Sequence, residues 1–195
     1  MAIHELLRMH ELAERMLDLN RPRDASVLHC EVRAVVREVA ALVRVGVAPE
    51  DLVVSIVGEG EAHAAVSPDT LKQVLLNLIQ NARDAVPNGL EVSITVRRGP
   101  SLVSVEVRDN GPGIAPEILP RVFDPFFTTK GTVGGVGLGL FIAEVIVRIH
   151  GGRIVICSQE QVGGACFRIE LMPAEAGAPA PPDRLDAPDN LETIQ

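Results

Sequence analysis

The chain has 195 residues, 47% of them apolar, with no Trp or Tyr and a formal net charge of −8. That length allows one sizeable core plus a short appendage, built here from Val, Leu, Ile and Ala. The acidity argues against a nucleic-acid surface, which needs clustered Lys and Arg. No apolar run is long enough to span a bilayer, and the basic-then-apolar start of a secretory signal is missing, so a soluble, cytoplasmic chain is expected.

Residues 3–19 carry Ile3, Leu6, Leu7, Ala13, Met16 and Leu17 among charged residues, the pattern of an amphipathic helix, and Asn20-Arg21-Pro22 ends it. A second amphipathic helix is predicted over Cys30–Val45, then a strand over Leu52–Val57 with a short partner strand over Ala62–Val66. Ser67-Pro68 is a helix start, serine as N-cap and proline at the first helical position, and that helix runs to about Val86. Leu90–Arg97 and Leu102–Arg108 read as an antiparallel hairpin around Gly99-Pro100. An irregular stretch over 110–136 precedes a helix from Gly137 to His150, stopped by Gly151-Gly152. Arg153–Ser158 and Ala165–Met172 are the last strands. The expected fold is an α/β two-layer sandwich, a mixed sheet covered on one face by helices.

From Ala174 to Gln195 the chain is acidic and rich in Ala and Pro, the composition of a disordered tail. The domain reading is therefore 1–22 as one amphipathic helix preceding the domain, 23–173 as one α/β domain and 174–195 as tail. Cys30, Cys157 and Cys166 have no metal-like spacing and are expected as free, mostly buried thiols. Cys157 and Cys166 can face each other across a hairpin, but a cytosolic setting weighs against a disulfide.

Three short segments carry chemistry. Asn77, Asn81 and Asp84 recur on one side of the helix from Pro68 and interrupt a leucine-rich stretch. Asp109-Asn-Gly-Pro-Gly113, read alone, is a turn. Gly134-Gly135-Val136-Gly137-Leu138-Gly139-Leu140 frees backbone amides to face phosphate at a helix start, without being a Walker A loop or a dinucleotide fingerprint. Between the last two lies Arg121–Lys130, with Phe123, Phe126 and Phe127.

Together, in this order, the three segments resemble the ATP-binding domain of sensor histidine kinases, within the superfamily shared with DNA gyrase, mismatch-repair ATPases and heat-shock chaperones. The resemblance spans roughly residues 68–172, and Phe123–Lys130 is similar to the nitrogen-regulator type. It implies a Bergerat-type fold, ATP and Mg²⁺ as ligands, Asn81 as the metal residue, and Asn77, Asn81 and Lys130 in the phosphoryl-transfer machinery. It further implies nucleotide contacts from Asp84, Asp109, Gly111, Gly113, Ile114, Phe123, Thr129, Lys130, Gly135, Val136, Gly137, Leu138, Gly139 and Leu140. In this reading Asp109 accepts a hydrogen bond from the adenine amino group. Lys130 has a competing reading as a solvated surface lysine. The family usually has Thr or Ser at Val136, so phosphate contacts there fall to backbone amides.

Gyrase-like members carry a glutamate base at the position of Asn77, and an amide cannot take a proton from water. Asn77 therefore favours a kinase that holds ATP without rapid hydrolysis. Residues 3–22 resemble the second helix of a dimerisation hairpin whose histidine-bearing first helix would precede residue 1, so phosphotransfer in trans is expected. His4 and His10 read as ordinary helix residues. The implied partners are that acceptor helix or parent kinase dimer and a response-regulator receiver domain, with no nucleic acid and no membrane contact. The alternative function is a protein-sequestering regulator of the anti-sigma serine kinase type.

Overall fold

Local chemistry decides where the helices begin. The computed structural model describes residues 29–129, 136–157 and 163–174. The amphipathic segment at 3–19, the tail beyond Ala174, Lys130 and Gly135 lie outside the described residues. Helix α1 (Val32–Val43) is capped by Glu31, whose carboxylate accepts from the Arg33 amide at 3.0 Å and the Ala34 amide at 2.6 Å. Helix α2 (Pro68–Ala85) starts at Ser67, whose Oγ accepts from the Thr70 amide at 3.2 Å, with Pro68 in the first turn. Helix α3 (Gly139–Ile149) ends at His150, after which Gly151 turns at a φ of +73°.

The strands are β1 (Cys30–Glu31), β2 (Leu52–Val57), β3 (His63–Ala64), β4 (Leu90–Arg98), β5 (Val103–Asp109), β6 (Arg153–Ile156) and β7 (Cys166–Leu171). Five form one mixed sheet in the order β2-β4-β5-β7-β6. β2 runs parallel to β4, and every other neighbour pair is antiparallel. Alternation sorts the two faces. Leu90, Val92, Ile94 and Val96 of β4, Val103, Val105 and Val107 of β5, and Phe167, Ile169 and Leu171 of β7 join the core. The opposite face carries charge, with Glu106 paired to Arg97 at 2.8 Å and to Arg168 at 3.4 Å, and Glu170 paired to Arg153.

All three helices lie against the apolar face, as the expected sandwich requires. α1 contributes Val32, Val35, Val36, Val39 and Ala40, α2 contributes Leu71, Val74, Leu75, Leu78 and Ile79, and α3 contributes Ala143, Ile146 and Val147. These follow the three-and-four spacing of one helical stripe. In α2 the stripe leaves Asn77, Gln80, Asn81 and Asp84 on the other side.

Two sequence expectations are corrected. Cys30 and Glu31 are extended rather than helical, because a capping residue adopts β geometry. They pair antiparallel with Ala64 and His63, so the short strand near 63 belongs to a separate ribbon and not to β2. Pro173 bridges Ala64, and the Ala174 amide donates to the His63 carbonyl at 2.9 Å, tying the end of the domain to that ribbon.

The cysteines also differ from expectation. Cys157 and Cys166 form a disulfide with Cα atoms 5.1 Å apart. The register accounts for it: β6 and β7 pair Ile156 with Phe167, and the next step places Cys157 opposite Cys166, with the Cys157 amide donating to the Cys166 carbonyl at 2.7 Å. Cys30 remains free and buried, and burial, with Glu31 adding a smaller effect, pushes its thiol pKa up to about 12.

Truncating the fully buried Leu75 to alanine is expected to lower unfolding free energy by about 2–5 kcal/mol. Ser67→Ala should cost only about 1 kcal/mol, through the lost cap. Urea denaturation of the two variants measures both, and equal losses would contradict the division between core and cap.

Candidate functional site

The polar side of α2 faces a cleft of about 490 Å³ that opens between α2, the end of β5, the segment after it and the start of α3. Clefts of this size suit ligands from a few tens of atoms upward. Asn77, Asn81 and Asp84 line it together, one helical turn apart, and Gln80 joins them by donating from Nε2 to Asp84 Oδ1 at 2.8 Å. Asn77 Nδ2 is buried and has no hydrogen-bond partner among the described residues. A buried amide donor left this way costs free energy, and an anionic oxygen in the cleft would relieve it.

Asp109 is the last residue of β5 and is 8% exposed. Its Oδ1 accepts from the Gly111 amide at 2.9 Å and from the Ala165 amide at 2.8 Å. Its own amide donates to the Ala165 carbonyl at 3.0 Å. Oδ2 accepts from no group among the described residues, so the carboxylate is clamped by one oxygen and offers the other. Gly164 makes the clamp possible, because at φ +91° any side chain there would collide with the Asp109 carbonyl. On the far side Asn110 accepts from the Glu91 amide at 2.9 Å and donates to the Gly89 carbonyl at 3.0 Å, tying the Asp109 turn to the turn after α2.

The segment after β5 divides its phenylalanines. Phe123 meets Phe167 edge-on, ring centroids 6.4 Å apart, and packs against the core. Phe127 lines the cleft and carries the Arg121 guanidinium 4.6 Å above its ring. Phe126 is 63% exposed, at a φ of 65°. Gly137, at φ +73°, packs so tightly that a Cβ would approach the Phe127 carbonyl oxygen to 2.5 Å. This contact sets the entry into α3. Leu138 stands at the N-cap without a side-chain cap, so the first amides of α3 lack the usual satisfaction. Those residues line the cleft, and an uncapped helix start is a receptor for negative oxygen.

Of the residues singled out from sequence, Asn77, Asn81, Asp84, Asp109, Gly113, Ile114, Thr129, Val136, Gly137, Leu138, Gly139 and Leu140 line this one cleft. Two do not. Gly111 instead supports Asp109 from beneath, and Phe123 is a packing residue because its ring is taken up by Phe167. Gln80, Ile118, Val122, Phe127, Ala165 and Phe167 also line the cleft and were missed. Ile118 and Val122 sit four apart, a spacing readable in the sequence, whereas Ala165 and Phe167 arrive through strand pairing and leave no local signal.

Asn81 and Asp84 offer hard oxygen donors of the kind Mg²⁺ takes. Elsewhere, Glu106, Cys157 and Cys166 lie close enough to share a metal, but the two sulfurs are bonded to each other. Among the described residues no helix is long and apolar enough to cross a membrane.

A mixed sheet backed by helices, with an uncapped helix start, an amide-bearing helix and a clamped carboxylate around one cleft, defines a nucleotide-binding α/β sandwich. Residues 66–175 match the family described as histidine kinase-, DNA gyrase B-, and HSP90-like ATPase, and the chain belongs to it. Its relatives include the sensory histidine kinase/phosphatase NtrB of Rhizobium meliloti, 33% identical over 89% of this chain and 48% of that protein. The two-component sensor PprA of Pseudomonas aeruginosa is 44% identical over 56% of this chain and 13% of its own length. The solved catalytic domain of histidine kinase ThkA aligns with a TM-score of 0.63 at 31% identity, covering 74% of this chain and 93% of that one. The chain thus carries a histidine-kinase-like ATPase domain and spans 48% of the length of NtrB and 13% of that of PprA. Their character favours the sensor-kinase reading over the sequestering serine-kinase one.

Gly164→Ala is expected to push Ala165 off Asp109, lowering thermal stability and weakening adenine-nucleotide binding about tenfold or more. Calorimetric titration and a melting curve on the same sample check both.

Proposed function

We propose that this chain is the ATP-binding catalytic part of a two-component sensor histidine kinase. It moves the γ-phosphoryl group of Mg-ATP to a histidine supplied by another segment or chain, for relay to a response-regulator aspartate. The observation that carries the reading is Asp109, whose Oδ1 is held by two backbone amides while Oδ2 is left for a ligand. A carboxylate acceptor selects the amino group of adenine over the carbonyl that guanine presents at the corresponding edge.

The other residues take roles consistent with their places on the cleft. Asn81 holds Mg²⁺ through its amide oxygen, with Asp84 close by. The ion when bound neutralises charge on the phosphate oxygens. The amides at the start of α3, Gly137 to Leu140, receive phosphate. Lys130 and Gly135, outside the described residues, would add to the same end. Asn77 meets the reacting phosphate with Nδ2 and cannot generate hydroxide, so ATP is kept for the incoming histidine. Catalysis then rests on positioning and charge.

Residues 1–22 would be the second helix of a dimerisation hairpin, 23–173 the catalytic domain and 174–195 an acidic tail, in the cytoplasm. A structure of ThkA in complex with the response regulator protein TrrA, aligned over 88% of this chain with a TM-score of 0.67, supports a receiver domain as partner.

Asp109→Asn keeps an acceptor for the two amides and turns a donor towards adenine. It should weaken Mg-ATP binding by about one to two orders of magnitude with little change in melting temperature. Unchanged affinity by calorimetry would sink the pocket assignment. Asn81→Ala should lose Mg-dependent phosphotransfer more than binding of metal-free nucleotide, and equal losses would count against a metal role. With labelled ATP and a histidine-bearing acceptor helix the label should be acid-labile, whereas acid-stable label would indicate serine.

A further inference from the structure

We infer that Cys157 and Cys166 form a reversible thiol–disulfide exchange site that governs how firmly Asp109 is held, and through it the affinity for ATP. The affinity half of this inference rests on the function proposed above. The two sulfurs belong to facing positions where β6 ends and β7 begins, one step beyond the Ile156–Phe167 pair and nine residues apart in sequence. The covalent ring they close encloses Gly163, Gly164 and Ala165. Ala165 is the residue that both donates to Asp109 Oδ1 and accepts from the Asp109 amide. Cys166 is its immediate neighbour, and Phe167, one further on, lines the nucleotide cleft.

Two glycines inside the ring make the coupling sensitive. Gly163 and Gly164 have the largest backbone freedom of any residue type, and a cross-link across them removes freedom that would otherwise compete with the Ala165 contacts. With the bond closed, Ala165 stays against Asp109. With it open, the segment leading into β7 is held by hydrogen bonds and the packing of Ala165 without a covalent tie, and Asp109 loses part of its clamp.

Access favours exchange at one sulfur. Cys157 is partly exposed, directly after the edge strand β6, while Cys166 is completely buried. A Cys157 thiolate attacks one sulfur of a small disulfide such as oxidised glutathione, forming a mixed disulfide and expelling one thiolate. Cys166, giving up its proton to the expelled thiolate, then attacks Cys157 Sγ and releases the second. The protein dithiol loses two electrons and two protons, and the external disulfide becomes two thiols. A small dithiol reverses both steps. A reversible pair of this kind reconciles the bonded sulfurs with the reducing compartment expected from the sequence.

The test uses the full chain, incubated with dithiothreitol or with oxidised glutathione. Alkylation and peptide mass should show Cys157 and Cys166 linked only after the oxidant, with Cys30 as a buried internal control. Hydrogen exchange at the Ala165 and Gly111 amides should be slower in the oxidised form, and Mg-ATP affinity about fivefold higher, the low end of ordinary coupling between sites. Cys157→Ser and Cys157→Ala should remove the response to oxidant while still binding ATP. Failure to link the sulfurs, equal amide exchange in both states, or equal measurable ATP affinity in both states would overturn the inference. If ATP binds in neither state, the nucleotide reading falls while the difference in exchange still decides whether the pair controls Asp109.

Discussion

The junction between Asp109 and Ala165 is the contact on which the rest of the site depends. Three hydrogen bonds meet there, joining the last residue of β5 to the residue before β7 and to the turn at Gly111. Because β5 and β7 are adjacent and antiparallel, the pairing of Val107 with Phe167 and Arg108 with Cys166 carries the sheet's register directly into the binding carboxylate. A shift of one residue would invert every side chain along β7, expelling Phe167 and Ile169 from the core. The core therefore enforces the position of a polar group that contributes little to the core itself.

The same economy appears in α2. Its buried stripe fixes the helix's rotation against the sheet, and that rotation alone determines that Asn77, Gln80, Asn81 and Asp84 turn to the cleft. None of these side chains needs its own support, since the helix is anchored by Leu71, Leu75, Leu78 and Ile79. Position is set by burial and chemistry by the residues that burial leaves over.

What could be read without coordinates follows from how local each signal is. Ser67-Pro68, the Gly99-Pro100 turn and the stripe in α2 are each written within a few neighbouring residues, and the structure repeats them almost residue for residue. The Asp109 turn and the glycine-rich helix start were legible for the same reason. Cys30–Glu31 was misread because a cap and the first turn it caps share one apolar pattern, and the pairing of β3 with β1 rather than β2 depends on a long-range choice. Ala165 and Phe167 reach the cleft only through strand order. The spacing of Cys157 and Cys166 allows them to face each other across a hairpin, but the strand register that brings the sulfurs together is a long-range property with no local signal. Phe123 is a different case: its place in the motif suggests a ligand contact, whereas its ring meets Phe167 edge-on and lies outside the residues that line the cleft.

Two sets of donors that border the cleft are left without partners among the described residues. Among the described residues Asn77 Nδ2 is buried and unpaired, and α3 begins without a side-chain cap. Each could be repaired locally: an apolar residue at 77 would remove the unpaired donor, and serine at 138 would cap α3. Each omission costs on the order of 1 kcal/mol or more in the free chain. Both unsatisfied groups are donors, and both border one cleft together with a carboxylate that keeps one oxygen unclaimed. A ligand that presents anionic oxygens at one end and an amino group at the other would satisfy all of them at once. The stability forgone in the free state is recovered on binding, which is how a preorganised site differs from a merely polar crevice.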